Sequence, residues 1–149
     1  MLHGTAKTTI TVVLMLIGCT AGYFGAASYY EKHPQTLAQS HECDGSNYAD
    51  KLCHANKAVL LGINPKENWR TWKQKEINLK NSSETPSSTE FKTLKETLKT
   101  KKDGELNGSQ IKDTCAKTYV QPSANTNTNK TNQENDIKKW CSLTTSAQA

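Results

Sequence analysis

Two short stretches of this chain carry side chains able to bind a metal or take a covalent group. In the first, His41-x-Cys43 and Cys53-His54 supply two thiols and two imidazoles, the donor types of a tetrahedral zinc site. Adjacent Cys53 and His54 do not readily reach one ion from a helix, and the interval between the cysteines lacks the spacing of known zinc fingers. No metal site is expected there. A c-type haem attachment is excluded, because no Cys-x-x-Cys-His occurs. In the second stretch, Leu16-Ile17-Gly18-Cys19 has the form of a bacterial lipobox. The small residue before the cysteine admits a peptidase to the backbone, and the Cys19 thiol takes the lipid.

Other reactive signatures are missing. No G-x-S-x-G, P-loop or H-E-x-x-H occurs, and His3, His33, His41 and His54 read as surface or linker residues. No catalytic residue and no cofactor are assigned, and the chain is not expected to be an enzyme.

Five cysteines stand at positions 19, 43, 53, 115 and 141. With Cys19 set aside as lipidated or membrane-embedded, an even set of Cys43, Cys53, Cys115 and Cys141 remains. An even count in a small exported domain with a thin core reads as a disulfide scaffold. Three connectivities are open, of which local pairing, Cys43–Cys53 with Cys115–Cys141, is the simplest. The alternative is four buried free thiols in a reducing milieu.

Export is suggested by the amino-terminal segment. Lys7 precedes an uncharged stretch from Thr8 to Tyr30, and Glu31 is the first acid in the chain. One reading makes the short charged start and the apolar run a secretory signal that ends at Leu16-Ile17-Gly18-Cys19. The other makes Thr8–Tyr30 a single uncleaved helix, long enough for the hydrocarbon core, with Tyr23, Phe24, Tyr29 and Tyr30 toward the outer interface. Both give a single tether to the cell membrane with the remainder exported, and membrane lipid as the tether's partner.

Beyond this segment the chain is polar. Only 34% of its 149 residues are hydrophobic, against ~45–50% in ordinary globular domains. A thin core follows, and Rossmann, TIM-barrel and other architectures built on long apolar strands are excluded. The 19 basic residues outnumber the 14 acidic ones, for a net charge of +5. Lys92, Lys95, Lys99, Lys101 and Lys102 make a basic face, but Glu90 and Glu96 interleave, and Arg70 is the single arginine. Lysine without arginine is poor at bidentate recognition, so nucleic acid is not an expected partner.

The positions that could be brought together must be carried by helices, because no segment alternates like a strand. Ser46 caps a first helix bearing Tyr48, Leu52, Ala55 and Val59, ended by Gly62 and Pro65. Asn68 starts a second with Trp69, Trp72, Ile77 and Leu79. After a polar gap from Asn81, the capping box Ser87-x-x-Glu90 opens a third, with Phe91, Leu94 and Leu98 on one face, stopping by Gly104. Ser109 caps a fourth, with Ile111, Cys115 and Tyr119 in register, ended by Pro122. Residues 123–135 read as a flexible polar linker. Thr131-x-x-Glu134 then opens a short last helix with Ile137, Trp140 and Cys141. The expected fold is mostly α: an anchor at 1–33, a small, loosely packed amphipathic helical ectodomain at 34–122, the linker, and a helix and tail at 136–149. Trp69, Trp72, Phe91 and Trp140 are its expected core anchors.

Ile111-Lys-Asp-Thr-Cys115-Ala-Lys-Thr-Tyr119 together with Asp136-Ile-Lys-Lys-Trp140-Cys141, behind an amino-terminal span, resembles the large paralogous families of small anchored proteins in haemotropic mycoplasmas. The Trp69/Trp72 segment and the Phe91–Leu98 helix fit the same layout. The resemblance implies a cell without an outer membrane, where an anchored ectodomain faces the host directly, and it implies no chemistry. The expected function is that of a membrane-anchored surface protein in host contact or antigenic display, with a host surface component as partner. The alternative is an envelope-associated scaffold acting through its membrane span.

Overall fold

The computed structural model describes Tyr29, residues 32–123 and residues 128–143. The candidate lipidation residue Cys19, the anchor other than Tyr29, Lys32 and His33, and positions 124–127 of the expected linker lie outside the described residues. Among the described residues no helix is long and apolar enough to cross a membrane. The chain divides into two units, Met1–His33 and Pro34–Ala149. In the first, the rings of Tyr29 and His33 stack with centroids 3.9 Å apart.

The second unit is built from helices. These are α1 (Leu52–Asn56), α2 (Trp69–Asn81), α3 (Thr89–Lys99), α4 (Ser109–Tyr119) and α5 (Thr128–Trp140), with 3-10 turns at Ser46–Tyr48, Lys66–Asn68 and Asp103–Glu105. Helix α4 lies at the centre and packs against α1, α2, α3 and α5, while α3 also touches α2 and α5. Its position follows from its sequence: Ile111, Cys115, Thr118 and Tyr119 fall on one face at helical spacing and all are buried. Helix α3 presents Phe91, Leu94, Lys95 and Leu98 in the same way. Its N-cap is Ser88, whose hydroxyl accepts from the Phe91 amide, one residue later than the Ser87 expected from the motif.

The expected first helix from Ser46 to Val59 is instead a 3-10 turn and the short α1. The backbone between them is taken by another segment. Lys51 adopts an extended conformation and bridges to Pro122. The Leu52 amide donates to the Gln121 carbonyl, and the Ser123 amide to Asp50. Residues 60 and 61 are extended as well. Thr36 pairs with Leu61 and Leu60 with Ser142, so the two leucines lie between the start and the end of the unit and are both fully buried.

Two further expectations are corrected. Residues 128–135, read as linker, belong to α5, which starts at Thr128 rather than after Thr131. This helix has few apolar side chains, and polar contacts add to the hold of its buried Ile137 and Trp140. Asp136 binds the residues before α3, and Gln133 Nε2 donates to Glu90 at 2.8 Å. The packing is also not loose. Core residues from Leu37 to Cys141 form one continuous cluster in which Leu60, Leu61, Leu79, Phe91, Leu98, Ile111 and Ile137 are wholly enclosed. Part of that cluster is supplied by the non-helical segments, which a count of helix faces omits.

Candidate functional site

The two thiols of the His41–His54 stretch are bonded to each other: Cys43 and Cys53 form a disulfide with Cα atoms 6.3 Å apart. His41 is exposed and faces Asp44 at 3.4 Å, while His54 Nδ1 lies 3.4 Å from the Cys43 carbonyl. Among the described residues no group of three or more His, Cys, Asp or Glu could hold a metal ion. The loop itself is strained, with His41 and Cys43 in the left-handed region at φ 56° and 64°. Such conformations cost of order 1–3 kcal/mol each and persist only where the surroundings impose them.

Glu42, between the two, provides that constraint. Its carboxylate accepts from the amides of Ile63 and Asn64 at 3.0 and 3.1 Å, and from the Ser40 hydroxyl. Gly62 makes room for this, because a Cβ there would stand 2.9 Å from both Glu42 Oε2 and Ser40 Oγ. The result is an open groove of about 420 Å3 beside the disulfide, lined by Leu37, Glu42, Tyr48, Ile63, Tyr119 and Val120 among others. Tyr48 and Val120 keep 37% and 46% of their surface exposed at its edge. At the floor, the Tyr119 hydroxyl donates to the carbonyls of Leu61 and Cys141. Burial, with the Glu42 carboxylate adding to it, raises its pKa well above the usual tyrosine value, so it stays protonated. On the rim, the Lys57 ammonium hydrogen-bonds Asp44 and holds that carboxyl below the ordinary carboxylate range.

Cys115 and Cys141 form the second disulfide, with Cα atoms 6.1 Å apart, inside the ~4.4–6.8 Å that such a bond spans. It ties the residue after α5 to the buried face of α4, and the two helices pack side by side.

Of the four expected aromatic anchors, Phe91 and Trp72 are fully buried and Trp140 is 9% exposed. Trp72 Nε1 donates to the Gly62 carbonyl at 3.2 Å, whereas Trp140 Nε1 is buried with no partner. Trp69 is a correction: 48% of it is exposed. It continues the stripe of Trp72, Glu76 and Leu79, but it is the first residue of α2, where the packed face has run out of partners. Arg70 covers it, with the guanidinium 5.1 Å from the ring centroid.

Sequence patterning assigned no role to the buried acids. Glu76, wholly enclosed on α2, accepts from the amides of Gly108 and Ile111 at 3.1 and 3.0 Å and so caps α4 from outside. Gly108 is in the left-handed region at φ 86°, and its backbone lies so close to Trp72 and Lys73 that any Cβ would clash. Glu76 thus meets unpaired amides at the start of α4, where negative charge is favoured. Lys75 is enclosed as well. It donates to the Ser142 carbonyl, and burial lowers its pKa to about 8. The only advance signal of these roles was an acid or lysine falling on an otherwise apolar helix face.

No protein-family model, curated protein or solved structure matches the chain.

Proposed function

We propose that this chain is a membrane-anchored surface protein that acts by contact or antigenic display and carries out no catalysis. The observation that carries the reading is the pair of disulfides, Cys43–Cys53 and Cys115–Cys141, which brace a single helical unit. Such bonds persist in oxidising surroundings and are rare in the cytosol. The apolar stretch Thr8–Tyr30 behind Lys7 is the tether, as an uncleaved span or through a lipid on Cys19. The use of three carboxylates also favours contact over catalysis, since half-buried Glu42 and enclosed Glu76 and Asp136 are occupied by backbone amides. The resemblance to the anchored proteins of haemotropic mycoplasmas supports the same placement, with a host surface component as partner. Protease treatment of intact cells expressing the full chain tests it. The expected result is loss of the helical unit while a cytosolic marker survives. A unit protected until the cells are lysed overturns the surface reading and favours a scaffold acting through its span.

A further inference from the structure

A second concavity lies away from the Cys43 groove, between the Lys66–Asn68 turn and the start of α4. Its lining includes Pro65, Lys66, Trp69, Asn107, Ser109 and Lys112, and its volume is about 190 Å3. That is below the ~300 Å3 at which drug-sized sites begin, and suits one ring-sized unit. Its chemistry is one-sided. Lys66 and Lys112 bring two ammonium groups, and neither makes an ion pair among the described residues. Asn107 uses its side-chain oxygen on the Ser109 amide at 2.9 Å, which leaves its NH2 group directed elsewhere. Both Asn107 and Ser109 are exposed, so their donors are available. Trp69 adds the largest exposed apolar surface of the unit, and Arg70, which covers the ring, is not part of the lining.

From this combination we infer that the Trp69 groove binds an acidic sugar residue, a pyranose bearing a carboxylate. The weakly positive C–H face of the pyranose stacks on the electron-rich indole, and the carboxylate meets Lys66 and Lys112. Hydroxyl groups of the ring accept from Asn107 and Ser109. A neutral sugar has no group to neutralise the two ammoniums, and a bare inorganic anion has no face for the ring. The inference does not depend on where the unit is displayed, so it stands or falls apart from the surface reading.

Titration of the full chain, reconstituted in phosphatidylcholine vesicles, tests it through tryptophan emission. The probes are methyl β-glucuronide and methyl β-glucoside, which differ only in a carboxylate against a hydroxymethyl group. Saturable binding of the glucuronide at least about tenfold tighter than the glucoside supports the proposal. Trp69→Ala should abolish the glucuronide response, and the Lys66→Ala/Lys112→Ala double variant should erase the preference between the two probes. Because all three side chains are at the surface or rim, retained circular dichroism separates loss of binding from loss of fold. Equal binding of both sugars, binding unchanged in Trp69→Ala, or no binding overturns it. A response only when the vesicles contain phosphatidylglycerol also overturns it, and assigns the patch to a lipid surface.

Discussion

The Asp136 carboxylate, near the end of α5, accepts from both the amide and the hydroxyl of Ser88, at 2.7 and 2.6 Å, and so closes the start of α3 from a distance of 48 residues along the chain. The Ser87 amide adds a third bond at 2.9 Å. Both Asp136 and Ser88 are buried, so the two Ser88 donors have no solvent to turn to. Asp136→Ala should therefore cost about 2–3 kcal/mol, read as a lower urea midpoint at unchanged slope. A change below about 0.5 kcal/mol would mean that water replaces the carboxylate.

The two tryptophans of α2 should separate sharply. Trp72→Ala removes an enclosed indole and its bond to Gly62, and about 3–5 kcal/mol of stability with it. Trp69→Ala, at an exposed helix end, should change stability by less than about 1 kcal/mol. Equal losses in thermal unfolding would show that Trp69 is packed after all.

Lys75 gives stability a pH dependence of known sign. Its folded pKa of about 8 lies below the ordinary 10.5, so between those values the unfolded chain holds more protons. Stability then rises with pH through that window, by up to about 3 kcal/mol from this group. Below pH 8 the cost of burying the ammonium is fully present. Comparing wild type with Lys75→Met at pH 7 and pH 10 isolates the effect. A difference between the two proteins that does not move with pH would refute it.

The Cys115–Cys141 bond closes a loop of 26 residues. Replacing both cysteines with alanine should cost about 2–4 kcal/mol and make α5 the first site of proteolysis, since that helix has little apolar face of its own. Peptide mapping without reductant should recover the linked fragment. Recovery of two free thiols is the contrary result.

The proposed tether has its own test. Metabolic labelling with a fatty-acid analogue is expected to mark the wild type and to fail on Cys19→Ser. Unlabelled wild type that still partitions with membranes identifies the uncleaved helix as the anchor.

What was legible in the sequence was whatever depends on near neighbours. Phe91, Leu94 and Leu98 placed α3, and Ile111, Cys115 and Tyr119 placed α4, because burial repeats at the helical period there. Helix α5 was half missed, since Asn129 to Asn135 look like solvent-loving chain until Asp136 and Gln133 meet Ser88 and Glu90. The same limit hid Glu76 and Glu42, whose partners lie 32 and 21 residues away. Trp69 was misplaced for a different reason: periodicity says which face a residue is on, and not whether the neighbouring helix extends that far. Neither groove was foreseen, as each is formed where a turn meets a helix from elsewhere in the chain.

The pairing of Leu60 and Leu61 with both ends of the unit has a mechanical consequence. Tension along the chain at Pro34 arrives at these leucines through two hydrogen bonds set side by side, Leu37 to Leu60 and Gly62 to Gln35, at 2.8 and 2.9 Å. From there it passes through the Leu61 amide to the Cys141 carbonyl, and through the covalent bond to Cys115 in the central helix. A pull from the amino-terminal side is thus delivered to the disulfide-linked central helix without first straightening α1, α2 or α3. The clamp at residues 36, 60, 61 and 142 should be the event that sets the unfolding force.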